Sequence, residues 1–209
     1  MALHGIADRL FGLGKAKARH ASKGLPDLGD LLGRLEPGER KALERASKAA
    51  ARTRKVLHGP GLTSPALLDE VGGEVDKLAA LAHELAKRLG KARLWLRRHD
   101  PDRLGREAAE AELDEVLGAG SANHYRAGQE ALRRQAAIAG EVQAGMPLLS
   151  LRLTTAAREL EALEARVSAG AVSGLSGADG LLDGLRAQRD KAERALDDWA
   201  ATVREMEGL

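Results

Sequence analysis

The basic side chains between residues 41 and 55 form the most regular array of chemically active groups in the sequence. They step by four and three positions, which places them on one face of a helix about 20 Å long. This basic stripe consists of Lys41, Arg45, Lys48, Arg52 and Lys55. Such cations bind phosphates of lipid headgroups or nucleic acid. Alternatively, the stripe is a solvated face that pairs with the acidic segments 107–115 or 190–198.

The surroundings of the basic stripe bear on the choice between lipid and nucleic acid. Readers of nucleic acid usually add aromatic residues that stack on bases, or Asn and Gln that recognise base edges. Residues 41–55 contain neither type. Nucleic-acid binding would therefore be limited to the phosphate backbone and sensitive to salt, and it is the less favoured alternative.

The first twenty residues predict an amphipathic helix over about 3–20. The anchors of this candidate membrane or anion site are Leu3, Ile6, Leu10, Phe11, Lys15, Lys17 and Arg19. The apolar members share one side of the helix, and the basic ones follow. Three glycines lower its intrinsic helicity, so it needs a host surface, either a bilayer or its own protein.

Catalytic and metal-binding patterns are missing from the sequence. The chain has no cysteine, and its six histidines show neither HxxxH nor HExxH spacing. No phosphate-binding loop or GxSxG nucleophile elbow is present. We therefore expect no catalytic residues, no metal, no cofactor and no enzymatic activity.

Composition and charge favour an extended helical protein over an ordinary globule. Aromatic residues make up 2% of the 209 residues, so apolar contacts depend on Leu, Ala and Val, as in long helices and coiled coils. Residues 1–58 carry 13 Lys/Arg and 6 Asp/Glu, a net charge of +7, whereas the whole chain is only +2. A basic front and an acidic remainder favour an anionic partner or internal pairing.

Hydrophobic periodicity predicts five further helices after the first. They cover about 38–57, 65–98, 101–117, 125–167 and 180–207, with proline and glycine at their ends. The helices at 65–98 and 125–167 carry heptad seams that would pair as a hairpin. The seam members are Leu68, Val71, Val75, Leu78, Ala82, Leu85, Leu89, Ala92 and Leu96 in the first, and Tyr125, Gly128, Leu132, Gln135, Ala139, Val142, Met146, Leu149, Leu153, Ala156, Leu160, Leu163 and Val167 in the second. The last helix carries a similar seam in which only Arg189 is off-pattern. Gly145 and Pro147 interrupt the longer seam without changing its register, which indicates a kinked but continuous helix.

The predicted fold class is all-α: a long antiparallel helical hairpin or coiled coil, with shorter amphipathic helices before it and a hinged helix after it. The predicted organisation is basic N-terminal helices and linker at 1–58, hairpin core at 64–169, glycine-rich hinge at 170–180 and C-terminal helix at 181–209. Many seam positions are Ala or Gly and bury little area. Self-association is therefore expected.

The order GIADRLFGLGKAKAR, basic stripe, long seams and acidic C-terminal part resembles the PspA/Vipp1/ESCRT-III type of helical membrane-remodelling protein. The resemblance is architectural and spans most of the chain, without a shared signature motif. It implies a non-enzymatic, self-associating scaffold that docks peripherally on anionic membranes. The alternatives are a soluble adaptor for a helical protein partner and, less favoured, a nucleic-acid-binding protein.

The sequence predicts neither a membrane span nor a secretory signal, and Asp8 counts against a mitochondrial transit peptide without excluding it. No run of about 18 apolar residues predicts a membrane span, and Asp8 and Arg9 interrupt any secretory h-region. We expect a cytoplasmic location, peripheral at the inner membrane face. The abundance of Ala, Gly and Arg is typical of a high-GC bacterial genome.

Overall fold

A computed structural model describes residues 32–59, 65–116, 122–173 and 178–207. Within these ranges the chain forms five helices and no strand, which confirms the all-α class. The helices are α1 (Pro37–Leu57), α2 (Pro65–Leu96), α3 (Pro101–Val116), α4 (Ala122–Ser173) and α5 (Ala178–Glu207). All five positions agree with those predicted from periodicity, to within a few residues at each end.

Proline marks the first residue of α1, α2 and α3. Its fixed φ suits the helical start, where a backbone N–H would have no partner within the helix. Asp100 caps α3: its Oδ1 accepts hydrogen bonds from the N–H groups of Asp102, at 2.9 Å, and Arg103, at 3.4 Å. Asp100 and Pro101 together therefore form a capped helix start.

Contacts between side chains fix the direction of each helix. Along α1 and α2 the pairs Glu39–Arg93, Ser47–His83 and Arg54–Asp76 run in opposite orders, so these two helices are antiparallel. Along α2 and α5 the pairs Glu70–Arg186 and Glu74–Arg189 run in the same order, so these two are parallel.

The longest helix, α4, packs against each of the other four. At 52 residues it is about 78 Å long. Its Gly145 meets Trp199 of α5, and its Gln129 meets Ala111 of α3. The ion pairs Arg45–Glu161 and Arg52–Glu164 run in the same order along α1 and α4, so α4 is parallel to α1 and therefore antiparallel to α2 and α5.

The main hydrophobic core is built by α1, α2, α5 and residues 138–167 of α4, which together we call the body. Its largest fully buried side chains are aliphatic: Val75, Leu78, Leu85, Leu89, Val142, Leu149, Leu153, Leu160, Leu163 and Val167. Every one of these belongs to a predicted heptad seam. Alanines fill the gaps between them and permit close approach of the helices.

Beyond the body, α3 and residues 122–137 of α4 form a two-helix extension, which we call the arm. Leu104 and Ala108 of α3 are buried but do not belong to the main core. Among the described helices α3 packs chiefly on α4. The arm is thus held by one helix pair, whereas the body has four helices.

The buried face of α2 is wider than its predicted seam. Glu74, Ala79 and Ala86 are buried alongside the seam residues. Because α2 contacts α1, α4 and α5 at once, it buries more of its surface than the single seam expected for one partner helix. The observed body is a bundle in which the predicted α2–α4 pairing is one contact of several.

The predicted continuity of α4 across Pro147 is confirmed, since one helix spans Ala122–Ser173. Helix α4 extends to Ser173 and α5 begins at Ala178, so residues 170–173 and 178–180 of the predicted hinge are helical. The residues between them, 174–177, lie outside the described ranges, as do residues 1–31, 60–64 and 117–121.

Candidate functional site

The helix α1 presents one face to the core and the opposite face to solvent. Leu43, Ala46, Ala50 and Leu57 are buried, with between 1% and 4% of their surfaces exposed. All five residues of the basic stripe are exposed on the other side. The apolar face of α1 is therefore already occupied by the body, and only its cations face outward.

Three lysines of the stripe have no ion-pair partner among the described residues. Lys41, Lys48 and Lys55 are exposed and recur every seven positions, so they lie along one line of the helix surface over about 21 Å. The remaining two members, Arg45 and Arg52, reach across to α4.

The arginines of the stripe are ion-paired with α4. Arg45 donates two hydrogen bonds to Glu161, one from Nε at 2.6 Å and a second from Nη2. Arg52 Nη1 lies 3.4 Å from Glu164 Oε1. The partners lie on α4 rather than in the acidic segments 107–115 and 190–198 that the sequence suggested. The arginines therefore position α1 on the body, whereas the three lysines form no ion pair within the described residues.

Glu161 is held in its charged form by these neighbours. The hydrogen bond from Arg45 lowers the pKa of Glu161 against the opposing effect of burial, and the charges of Arg45 and Arg158 act in the same direction. The same hydrogen bond and charge raise the pKa of Arg45. The pair therefore stays ionised at neutral pH, and Arg45 is partly neutralised as an anion-binding group.

A buried ion pair fixes the first turn of α1 to the last turn of α2. Glu39 is 3% exposed, and it accepts hydrogen bonds from both terminal nitrogens of Arg93, with Nη2–Oε1 at 2.8 Å. The Glu39 carboxylate also accepts the backbone N–H of Glu36 at 3.0 Å. The hydrogen bonds to Glu39, opposed by burial, raise the pKa of Arg93.

A second ion pair explains the one off-pattern residue in the α5 seam. Arg189 occupies a core-facing position and donates to Glu74 of α2, with Nη1 2.7 Å from Oε2. Glu74 is 6% exposed and also accepts from Lys77 at 2.9 Å. Burial would raise the pKa of Glu74, but the hydrogen bond from Lys77 and the charge of Arg189 outweigh it, and the pKa is lowered.

The other predicted anchors cannot be placed. Leu3, Ile6, Leu10, Phe11, Lys15, Lys17 and Arg19 lie outside the described residues. Of the candidate site, the structure therefore brings together the five cations of α1 alone.

Two of the described histidines, His83 and His99, contact neighbouring side chains of the fold. His83 is largely buried between α1 and α2, with Nε2 3.4 Å from Ser47 Oγ, and burial lowers its pKa. His99 stacks on Trp95 with ring centroids 4.2 Å apart. Among the described residues no group of His, Asp or Glu side chains is arranged to hold a metal ion.

Two open cavities lie on the surface of α4. One, of about 780 Å³, is in the arm between α3 and α4 and is lined by Leu113, Gln129 and Arg133 among others. The second, of about 560 Å³, lies where the start of α1 and the α2–α3 junction meet Pro147. Both are wide and shallow, unlike the enclosed pockets that bind small molecules.

Sequence reasoning missed a surface on the outer side of α4. Leu148 is 44% exposed and Leu151 is 58% exposed, three positions apart on the side away from the core. The available signal was a second stripe at heptad spacing, offset from the inner seam, which the stronger inner periodicity concealed.

Among the described residues, none of the helices combines the length and hydrophobicity needed to span a lipid bilayer. Comparison with protein-family models, with curated proteins and with solved structures found no match.

Proposed function

We propose that the protein is a non-enzymatic, self-associating helical scaffold that docks peripherally on anionic membranes through its basic N-terminal region. The observation that carries this proposal is the line formed by Lys41, Lys48 and Lys55. These lysines are exposed, and none forms an ion pair with another described residue. Ammonium groups at this spacing match a surface of anionic headgroups, and each adds attraction that decays within a Debye length.

The burial of the apolar face of α1 limits the kind of contact that this helix would make with a membrane. Since Leu43, Ala46 and Leu57 are committed to the core, α1 has no apolar side chains to insert into lipid. Its contribution is electrostatic and reversible. Insertion, in this proposal, comes from the apolar anchors within residues 1–20, and stable attachment uses both signals together.

The first experiment is co-sedimentation with vesicles of phosphatidylcholine containing phosphatidylserine, compared with phosphatidylcholine alone. The test variant reverses three charges: Lys41→Glu, Lys48→Glu and Lys55→Glu. The matched control makes the same change in net charge at exposed residues without ion pairs in the described chain: Lys91→Glu, Lys191→Glu and Arg194→Glu. Deletion of residues 1–20 removes the proposed inserting segment separately.

We expect the wild-type protein and the control to bind the anionic vesicles, and the stripe variant and the deletion to stay in the supernatant. Binding should weaken as salt rises, because the lysines are exposed to screening. Equal sedimentation of all four proteins would refute membrane docking. Retardation of any DNA duplex at low salt, lost near physiological salt, would instead favour a nucleic-acid backbone as the anion.

The arm supports a second candidate, a soluble adaptor for a helical protein. Leu113 is 63% exposed beside the open cavity between α3 and α4, where an apolar helix could lie. In this alternative residues 1–20 pack on the protein itself. Limited proteolysis without lipid separates the two: protection of residues 1–20 favours the adaptor, and rapid cleavage there favours the membrane scaffold.

A further inference from the structure

The outer face of α4 carries a second heptad stripe that no described helix covers. Its steps alternate between four and three residues from 137 to 162. The members are Ala137, Glu141, Ala144, Leu148, Leu151, Thr155, Arg158 and Ala162. All are exposed except Thr155, which is half-buried and donates its hydroxyl hydrogen to the Leu151 carbonyl. We call this set the outer stripe.

The outer stripe is symmetric about the point midway between Leu148 and Leu151. Positions equally far from that point carry complementary side chains. Ala137 matches Ala162 at the ends, Glu141 matches Arg158 as opposite charges, and Ala144 matches Thr155 as small residues. A surface that is complementary to itself in reverse order is the kind that a two-fold axis requires, since residue i then meets residue j twice.

The charged members of the stripe are available for such a contact. Neither Glu141 nor Arg158 forms an ion pair with another described residue, and both are exposed. Within its own chain Arg158 acts only at longer range, helping to lower the pKa of Glu161. The stripe is limited at one end by α3, where Glu112 pairs with Arg133 of α4.

We infer that a second copy of this chain binds the outer stripe, with the two α4 helices antiparallel and the two-fold axis between Leu148 and Leu151. Leu148 of each copy packs on Leu151 of the other, and Glu141 pairs twice with Arg158. Three alanines and Thr155 at the remaining positions are small enough to let the helices approach closely. The inference specifies the self-association contained in the proposed function, and it does not depend on membrane binding.

The opposite charges of Glu141 and Arg158 allow a test in which one charge reversal compensates for the other. The readout is the molar mass of the full chain, measured by analytical ultracentrifugation without lipid. Glu141→Arg alone places Arg against Arg at both contacts, and Arg158→Glu alone places Glu against Glu. Each should raise the dimer dissociation constant about tenfold or more. Mixing the two single variants should restore a dimer, because each Arg then faces a Glu, and the double variant should dimerise by itself.

Cross-linking tests the orientation, since the chain contains no cysteine of its own. A mixture of Ala144→Cys and Thr155→Cys chains should form a disulfide under mild oxidation, because these positions lie opposite each other. Either variant alone should not, because its two cysteines would be about 17 Å apart along the antiparallel pair, beyond disulfide reach. Cross-linking of each variant alone would indicate parallel helices and overturn the inference.

Leu148→Glu and Leu151→Glu complete the test. Both positions are exposed, so circular dichroism should show the wild-type helix content while the dimer is lost. A wild-type chain that stays monomeric, or a dimer unaffected by these variants and by the charge reversals, overturns the inference. Leu148 and Leu151 would then be expected to contact another partner or residues 1–31 instead. Loss of vesicle binding with an intact dimer would count against the membrane proposal alone.

Discussion

Trp199 of α5 lies directly against the backbone of α4 at Gly145. A Cβ at residue 145 would lie 2.8 Å from Cε3 of the indole, and closer still to Cζ3. No side chain other than hydrogen fits there without moving the ring, which is itself 95% buried, with 5% of its surface exposed. The glycine that interrupts the α4 seam is thus the site where the largest side chain of α5 approaches.

Gly145→Ala is accordingly expected to destabilise the protein by about 1–3 kcal/mol, the usual cost of overpacking a core. Gly140→Ala is the matched control, because nothing lies within 4 Å of a Cβ there. The control should be neutral or stabilising by up to about 1 kcal/mol, since alanine favours helix over glycine. Urea unfolding followed by circular dichroism measures both, and equal effects of the two variants would contradict the close contact.

Arg93→Leu is expected to cost about 3–5 kcal/mol, because it leaves the buried Glu39 carboxylate without its cation. Replacing both partners, with Glu39→Leu and Arg93→Leu, should recover most of this loss, since the uncompensated charge is then gone. As a control, Glu107→Ala removes an exposed pair with Arg103 and should cost less than about 1 kcal/mol. A double variant no more stable than Arg93→Leu would contradict this account.

Stability is expected to fall on acidification in two steps. Burial lowers the pKa of His83 below its ordinary 6.5. Burial would raise the pKa of Glu74, but Lys77 and Arg189 outweigh it and lower that pKa below 4.5. In each case the unfolded chain takes up the proton first, so stability is present above the ordinary pKa and is lost as pH falls towards the folded pKa.

Urea unfolding measured from about pH 8 to pH 3 resolves the two steps. His83→Gln should remove the loss that begins near 6.5, and Glu74→Gln should reduce the loss that begins near 4.5, to which Glu161 also contributes. If both variants keep the wild-type profile, other groups are responsible for the acid sensitivity.

Two leucines that are two positions apart on α4 should differ strongly in how much their truncation destabilises the protein. Leu153 is fully buried, and Leu153→Ala should cost about 2–5 kcal/mol. Leu151 is 58% exposed, and Leu151→Ala should change the stability of the dilute monomer by no more than about 0.5 kcal/mol. Thermal unfolding at low protein concentration compares them. A large loss for Leu151→Ala under those conditions would place it inside the fold.

The positions of the helices follow from local signals that the sequence carries openly. Pro65 and Pro101 begin helices, and apolar residues at heptad spacing become the core. Such signals act within a few residues of one another, so a single sequence is enough to find them.

The relative placement of the helices needed the structure. Arg189 is an exception to the α5 seam until Glu74 of α2 is seen to face it, and these residues are separated by 115 positions. In the same way, the stripe cations Arg45 and Arg52 find their acids on α4 rather than in the more acidic segments. Which face meets which is decided by packing of whole helices, and no short window of sequence contains that information.

The arm and the body share one helix but not one core. In the body, the amides of α4 are shielded by three neighbouring helices, whereas in the arm α3 is the chief neighbour. The first turns of α4 can therefore open without exposing the main core, while residues near Leu153 open only when the whole bundle does. We therefore expect hydrogen exchange along this single continuous helix to be limited by local opening at its beginning and by global unfolding along its second half.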